Sequence, residues 1–487
     1  MEVGGKRKNT SMKSKNENDH YLWGCEFLDE EEASLHFLAL GSTGSGKTIN
    51  ILLLLKTVVA RMLVPRSGVR CLIYDSKTDL LSRIRGIGIA ERDIFVMNPF
   101  DERRCSWDMA KDITTPGHAD DMAAILAPSE KGANNPYFSE TAQELLAGII
   151  TALQQNVPGQ WTLRDLVIAA RDSERIKAIL ASSRYTEDLL SHFRVEETSE
   201  NVCSTLATKL GKFSSIAASW EGAERQFTIQ EWITSQTAIV LGNSPKAKKP
   251  IRSLNQLLFS SIAKAVIDLP GQDKAKHWFF LDELRELGAL DMLGDMMTVG
   301  RSKGASMVLG FQDINGIQAE YGKERALELV GQTGNFALLR INGTQPDTQK
   351  WASQVAGQLR FQETKRTTSE NTSRDGTTSG VSSSREVKTE DIFIPSYFSQ
   401  SIPRTCFENG MLGVFYSKSQ LYEQEYSGEI LFTNKGTANQ VPVSDPNFPD
   451  HIPFDSGLLE PWGKKDLKRL KIDGIIHSGK WETADEL

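Results

Sequence analysis

The feature that most constrains this chain of 487 residues is the segment GSTGSGKT, which runs from Gly41 to Thr48. It satisfies every fixed position of the phosphate-binding pattern G-x-x-x-x-G-K-[ST]. The preceding residues 34–40 are apolar enough for a buried strand, and residues 49–63 predict a helix that packs against a sheet. A strand, a glycine loop and a helix in this order present backbone N–H groups and the positive end of the helix to an anion. An accidental glycine-rich turn is the alternative.

The motif predicts a nucleoside triphosphate site, with ATP and Mg²⁺ as the expected ligands. Lys47 is expected to reach the β- and γ-phosphates, and the Thr48 hydroxyl is expected to bind Mg²⁺. The residues expected to bind the nucleotide are Gly41, Ser42, Thr43, Gly44, Ser45, Gly46, Lys47 and Thr48.

A second motif, which is acidic, completes the predicted site. The segment HWFFLDE reads as a buried strand that ends in Asp282 and Glu283. Asp282 is expected to contact Mg²⁺, and Glu283 to polarise the attacking water. Two adjacent carboxylates favour hydrolysis over transfer to a small molecule, because a water nucleophile needs a base beside it. A strand that simply ends in surface acids is the alternative.

Three further residues are weaker catalytic candidates. Gln312 ends the next apolar strand, where it is expected to sense the γ-phosphate or orient the water. Arg301 and Arg340 are candidate arginine fingers that would reach the nucleotide of a neighbouring subunit. Most arginines are surface residues or structural partners, and that alternative stays open for both.

Apolar runs alternate with helical patterns along most of the chain. This alternation predicts an α/β fold, a doubly wound parallel sheet with helices on both faces. Amphipathic windows replace the strands between residues 113 and 222, which predicts an all-α insertion with a helix start at Thr162. Besides 34–40, the predicted strands are residues 69–76, 93–100, 237–243, 277–283, 306–313 and 335–342, and MLGVFYS is a possible later strand.

The predicted organisation has five parts and one flexible segment. Residues 362–390 are rich in Ser, Thr, Gly and charge and predict a mobile loop. The predicted parts are a disordered basic arm (1–20), the first half of the nucleotide-binding domain (21–112), the all-α insertion (113–222), the second half (223–440) and an irregular tail (441–487).

Composition excludes several other classes of protein. No apolar run reaches the roughly 18 residues that a transmembrane helix needs, and no secretory signal is present, so we expect a cytoplasmic protein. The five cysteines include no C-x-x-C pair, which argues against a zinc site or a disulfide framework. The net charge of −7 argues against a surface that coats nucleic acid, but not against a narrow basic channel.

The order of these motifs resembles the coupling ATPases of type IV secretion and conjugation, which belong with the FtsK-type and HerA-type DNA pumps. The resemblance covers roughly residues 22–360. It is carried by GSTGSGKT, YDSKTDLL, NPFDERRCSWDM, FLDELRELGAL and VGRSKGASMVLGFQDINGIQAEYG.

The resemblance implies a RecA-like P-loop domain with an all-α insertion. It also implies a homo-hexamer around a central channel that hydrolyses ATP at subunit interfaces and moves DNA. Asp75 and Lys77 would lie near the nucleotide or a subunit contact, although a strand-end turn explains them equally well. Relaxase or secretion-channel proteins would be partners.

One departure from the family concerns the membrane. Members usually begin with membrane-spanning helices, whereas this chain reaches its phosphate loop by residue 41. We therefore expect either a soluble member or one whose membrane anchor is supplied by a partner.

The expected DNA contact is a basic loop at residues 243–253. It carries Lys246, Lys248, Lys249 and Arg252 after a core strand, and it would bind phosphates without regard to sequence and less tightly in salt. A solvated charged face is the alternative. Two other functions stay open: an adaptor that uses ATP as a switch to dock proteins, and a monomeric P-loop kinase or ATPase.

Overall fold

The structure is a computed structural model that describes residues 7–8, 20–130, 136–373, 376–433 and 439–473. Most of the expected basic arm at 1–20 and the end of the expected tail, 474–487, lie outside the described residues. Within the arm, Arg7–Lys8 form a short strand where disorder was expected. In the described ranges, no helix is long and apolar enough to cross a membrane.

The strands are numbered in chain order. They are β1 (Arg7–Lys8), β2 (Tyr21–Trp23), β3 (Glu26–Leu28), β4 (Phe37–Leu40), β5 (Arg70–Tyr74), β6 (Ile94–Met97), β7 (Cys105–Trp107), β8 (Arg225–Phe227), β9 (Ala238–Leu241), β10 (His277–Leu281), β11 (Ala305–Phe311), β12 (Asn335–Leu338), β13 (Gln358–Ser373), β14 (Gly376–Asp391), β15 (Met411–Ser417) and β16 (Gln420–Tyr426).

The α-helices are numbered in the same way. They are α1 (Glu30–Ala33), α2 (Lys47–Met62), α3 (Leu81–Ile87), α4 (Met109–Asp112), α5 (Pro116–Leu126), α6 (Tyr137–Asn156), α7 (Leu163–Ala169), α8 (Ser173–Ala181), α9 (Glu196–Gly211), α10 (Ser214–Glu221), α11 (Ile229–Thr234), α12 (Lys248–Ile267), α13 (Leu284–Leu287), α14 (Leu293–Thr298), α15 (Ile314–Tyr321), α16 (Lys323–Gly331), α17 (Pro346–Ala356), α18 (Tyr397–Gln400), α19 (Gly428–Phe432) and α20 (Lys464–Arg469).

A large mixed sheet organises the molecule. Among the described residues it has ten strands in the order β1-β16-β15-β12-β4-β11-β10-β5-β9-β6. The strands from β12 to β6 are mutually parallel, whereas β15 pairs antiparallel with β12 and with β16. The expected α/β fold and all its core strands are confirmed. The antiparallel edge arises because Lys418 and Ser419 adopt positive φ, which makes the tight turn of a β-hairpin.

Helices cover both faces of this sheet because its central strands are apolar on both sides. Leu38 and Leu40 of β4 face one buried cluster, and Phe37 and Ala39 face the other. The helix α2 packs into the second cluster, whereas α12 and the helices of the insertion share the first. The insertion and the sheet therefore have one continuous core on that side.

The inserted region is all-helical, as expected, and contains α5 to α10. The chain leaves and re-enters the sheet domain through β7 and β8, which pair in parallel. At α7, Thr162 and Asp165 form the reciprocal bonds of a capping box, so the helix start predicted at Thr162 is confirmed. The boundaries at 113 and 222 stay predictions.

The prediction of a flexible loop at residues 362–390 is wrong. β13 and β14 form a long antiparallel hairpin through this region, paired from Gln358↔Asp391 to Ser373↔Gly376. Composition suggested a loop, but threonine is β-branched and suits a strand. Ion pairs also link the two strands, Lys365 with Glu386 at 2.8 Å and Lys388 with Glu363 at 2.5 Å, although exposed pairs of this kind contribute little to stability.

The described part of the expected tail, residues 441–473, is irregular apart from α20, but it is firmly attached. It first runs along the sheet domain, where the Phe454 N–H donates to the Phe100 carbonyl at 2.9 Å. It then reaches the insertion, where the buried carboxylate of Asp165 accepts from the Trp462 indole N–H at 2.9 Å and from the Arg469 guanidinium at 2.8 and 2.9 Å. The tail thus links the two parts of the molecule.

We predict that Trp462→Ala releases the tail from the insertion. The indole is almost fully buried, and truncating a buried Trp costs about 3–5 kcal/mol, most of which would fall on this contact. Limited trypsin digestion should then cleave near α20 at least tenfold faster. Leu458→Ala on the same tail, where the side chain is 90% exposed, is the matched control. Equal digestion of both variants would contradict the link.

Two buried histidines at the amino ends of β4 and β10 make stability depend on pH. His36 binds the Met297 carbonyl through Nε2 at 2.8 Å and accepts the Met307 N–H at Nδ1, so its ring is neutral. Burial lowers the pKa of His36 to about 4 and that of His277 to about 3.

We predict that acid destabilises the protein through these rings. Both folded pKa values lie below the unfolded value. The stability that the two neutral rings contribute is therefore complete above pH 6.5 and is lost as the pH falls below it. At pH 5 each ring should cost about 2 kcal/mol. The free energy of unfolding, measured with urea, should fall between pH 7.5 and 5 by about 2 kcal/mol less in His36→Gln than in the wild-type protein. An unchanged drop would contradict the assignment.

Candidate nucleotide site

The loop between β4 and α2 has the shape of a phosphate cradle. Gly44 and Gly46 adopt φ of 77° and 95°, which favours glycine over other residues. A Cβ on Gly41 would lie 2.3 Å from Ser45 Oγ, so this position also requires glycine. The backbone N–H groups that open α2 are left for an anion, and α2 is long enough to contribute its dipole.

The acidic motif lies directly beside this loop. β11 separates β4 from β10, so the carboxyl ends of all three strands meet at one edge of the sheet. The Thr48 hydroxyl donates to Asp282 Oδ2 at 2.6 Å. Lys47 Nζ lies 2.7 Å from Glu283 Oε1 and 3.8 Å from Asp282 Oδ1. The structure therefore brings together the four residues on which the predicted site depends.

Glu283 is held in an unusual position. Its φ of 58° and ψ of 52° lie in the left-handed region, which costs a non-glycine residue on the order of 1–3 kcal/mol. The Gln312 amide donates to both Glu283 oxygens at 3.0 and 3.1 Å and accepts from the Thr43 hydroxyl at 3.3 Å. Gln312 thus ties the acidic motif to the phosphate loop, at the place where it was expected.

The two candidate arginine fingers lie in different places. Arg340 follows β12, its carbonyl accepts the Ser42 N–H at 2.8 Å, and its guanidinium donates to Asn342 at 2.9 Å. Arg301 is exposed and precedes β11, at the opposite edge of the sheet. The seven residues of β11 put it about 20 Å from the phosphate loop of its own chain.

Asp75 and Lys77 follow β5, the neighbour of β10, so they lie at the same edge of the sheet as Asp282. The Asp75 carboxylate accepts the backbone N–H groups of Asp79 and Leu80, both at 3.1 Å, and burial raises its pKa to about 6. These bonds shape the turn after β5, which is the alternative that the sequence left open. Lys77 is exposed.

Sequence reasoning missed a segment that covers the phosphate loop. The Thr405 N–H donates to the Gly44 carbonyl at 3.0 Å, and its hydroxyl donates to the Ser45 carbonyl at 2.8 Å. The Arg404 guanidinium lies next to Gly44, 3.2 Å from where a Cβ would stand. No local pattern marks a residue whose partner is 360 positions away, so only the fold reveals it.

Gly310 was also missed, and it makes room for the acidic motif. A Cβ at this position in β11 would stand 2.5 Å from Asp282 Oδ1 and 3.2 Å from Asp282 Cα. The sequence does offer one signal, which is a glycine inside a predicted strand. Such a glycine often marks a place where another part of the chain approaches closely.

The comparisons with known proteins agree with this geometry. Residues 27–404 match the family model described as the type IV secretion-system coupling protein DNA-binding domain. The coupling protein TraD of Escherichia coli (strain K12) is 21% identical over 317 residues, which cover 63% of this chain and 41% of TraD. The chain thus spans less than half the length of this curated relative.

Solved structures of the conjugative coupling protein TrwB share the fold. A form in complex with sulphate has a TM-score of 0.67 at 17% identity and covers 90% of this chain and 94% of that one. The complex with ADP and Mg²⁺ has a TM-score of 0.65 at 18% identity and covers 88% and 93%.

The fold and the loop define a RecA-like P-loop protein of the α/β class. Within that class, the chain belongs to the family of type IV secretion-system coupling proteins, because the family model matches most of its length.

We predict that Gly310→Ala disrupts the acidic motif. The added methyl would push Asp282 away from Thr48, and a displacement of this size costs roughly 100-fold in rate. Steady-state ATP hydrolysis measures the loss. Gly331→Ala, where a Cβ meets nothing within 4 Å, is the control and should keep the wild-type rate. Full activity of Gly310→Ala would contradict the role given to this contact.

Proposed function

We propose that the chain is an ATP-hydrolysing DNA translocase of the coupling-protein type, which recruits and pumps DNA or nucleoprotein during conjugative transfer or secretion. The observation that carries the proposal is the contact of Lys47 and Thr48 with Asp282 and Glu283 at one edge of the sheet. Family membership supports the DNA substrate. TrwB has been solved with ADP and Mg²⁺, which supports the same ligands here.

The donor set fits ATP and Mg²⁺. The glycine cradle and the Lys47 ammonium suit phosphate oxygens, and the Thr48 hydroxyl and Asp282 carboxylate are oxygen ligands of the kind that Mg²⁺ takes. Bound there, the ion would neutralise charge on the phosphates. Ser42, Thr43 and Ser45 would shape the rest of the loop.

Glu283 is the proposed base. In this structure its carboxylate pairs with Lys47, so phosphates that attract Lys47 would compete for that pair. Gln312 would retain Glu283 through its two hydrogen bonds, and Glu283 would then accept the proton of the attacking water. Arg404 and Arg340 lie at the loop of their own chain. Arg301 lies far from it, where it would act only on a neighbouring subunit of a homo-hexamer.

The basic segment at 243–253 is not a loop throughout, because Lys248, Lys249 and Arg252 lie in the first turns of α12. A short path of contacts leads from Glu283 to this segment. Glu283 directly precedes α13, where Glu286 pairs with Lys248 at 2.6 Å at the start of α12. Arg252 pairs with Glu320 at 3.0 Å, whereas Lys246 and Lys249 make no ion pair with the residues that the structure describes. Lys249 lines a groove of about 510 Å³ together with Lys212 and Lys209 of the insertion, and Lys209 pairs there with Glu130 at 3.7 Å. We propose that this groove, here called the basic groove, is one of the DNA contacts.

The remaining parts of the proposal concern assembly and location. A relaxase or a channel protein would deliver substrate or receive it, and such a partner would hold the chain at a membrane secretion complex. Mass measurement with a nonhydrolysable ATP analogue and DNA tests the homo-hexamer.

We predict that DNA stimulates ATP hydrolysis and that salt weakens the stimulation, because the contacts are to phosphates. Lys47→Ala should abolish hydrolysis, and Glu283→Gln should bind nucleotide while losing at least 100-fold in rate. The measurement is the ATPase rate with and without duplex or single-stranded DNA at 50 and 200 mM salt. Wild-type protein without hydrolysis, or Lys47→Ala with full activity, would refute the motor. Hydrolysis indifferent to DNA would favour the protein-docking adaptor.

A further inference from the structure

The β13–β14 hairpin is the part of the described chain that the nucleotide site leaves unexplained. Each strand has 16 residues, whereas strands in globular proteins usually have 3–10. Among the described residues, the two strands pair with each other and with no third strand. A two-stranded ribbon is marginal by itself in water, so a ribbon of this length indicates a surface made for a partner.

The two faces of the hairpin differ in charge. Residues that pair across an antiparallel ladder share a face, and alternate residues of a strand share one too. One face, here called the ion-pair face, contains Glu363, Lys365, Glu386 and Lys388, whose charges pair with each other at 2.5 and 2.8 Å. Glu390, which lies opposite Leu359, also belongs to this face, so the face carries a net negative charge.

The other face, here called the arginine face, carries Arg360, Arg366 and Arg385. All three are exposed, and they make no ion pair with the described residues. Its described carboxylate, Asp391, lies at the base of the hairpin and accepts from Gln358 at 2.8 Å. The other described side chains of this face are Gln362, Thr364, Val381, Ser383, Val387 and Thr389.

The spacing of the arginines suits a polyanion. Arg385 lies opposite Thr364, next to Arg366 along the face, and Arg360 stands six residues before Arg366, or about 20 Å. Duplex DNA carries one negative charge per roughly 1.7 Å of its axis, and its major groove admits a two-stranded ribbon. Arginine also matches phosphate better than lysine does, because its planar fork donates two parallel hydrogen bonds.

We propose that the arginine face of this hairpin binds the phosphate backbone of the transported DNA. The inference rests on the proposed DNA transport and adds a contact site outside the nucleotide pocket and the basic groove. The hairpin lies inside residues 27–404, which match the DNA-binding domain model. An acidic protein surface, for instance on a second copy of this chain, is the competing occupant that the experiment must separate.

The test compares two double variants of one hairpin. R366Q/R385Q removes two positive charges from the arginine face, and K365Q/K388Q removes two from the ion-pair face. The probe is a fluorescent 30-bp duplex of arbitrary sequence, titrated with full-length protein between 50 and 200 mM KCl. Two lost phosphate contacts should lower the salt slope of log K by about 1.8 and weaken binding at least tenfold at 100 mM. The K365Q/K388Q variant should bind like wild type.

Each other outcome has a defined meaning. Equal losses in both variants would show general electrostatics and overturn the face-specific site. Wild-type binding in R366Q/R385Q would overturn the hairpin contact while leaving the motor intact, and an altered oligomer mass in that variant would assign the face to a protein contact. Wild-type protein that neither binds DNA nor hydrolyses ATP would refute the proposed function itself. Thermal unfolding shows that each variant is folded.

Discussion

The contact between the phosphate loop and the acidic motif joins parts of the chain that are more than 230 residues apart: Lys47 meets Glu283, and Thr48 meets Asp282. It depends on the order of three neighbouring parallel strands, because β11 lies between β4 and β10 and aligns their carboxyl ends. A strand placed elsewhere in the sheet would separate the carboxylates from the loop. Gly310 adds the last condition, since a side chain there would occupy the place of Asp282.

The strained backbone at Glu283 connects this contact to the rest of the molecule. A left-handed glutamate persists only when its surroundings hold it, and Gln312 and Lys47 supply that hold. α13 begins at the next residue, so a change in the hold on Glu283 would also act on the pair between Glu286 and Lys248. One short helix thus separates the nucleotide site from the start of α12.

The insertion is anchored at three places. It shares a core with the sheet, it enters and leaves through the paired strands β7 and β8, and the tail crosses from the sheet domain to Asp165. Buried carboxylates are costly unless they are fully bonded, and Asp165 is bonded by Thr162, Trp462 and Arg469. These contacts fix the insertion to the sheet domain.

The sequence by itself determined the features that depend on local pattern. Glycine spacing, apolar runs and the Asp282–Glu283 pair are written in neighbouring residues, so the phosphate loop, the strands of the sheet and the helical insertion could all be predicted from them. The hairpin was missed because its Ser, Thr and charged residues suggest a loop until cross-strand partners are known. Only the tertiary structure decided that Arg404 and Thr405 cover the loop, that Asp75 shapes a turn, and that three arginines share one face. The physical reason is that these roles come from pairings between distant segments, and such pairings exist only once strand order and register are set.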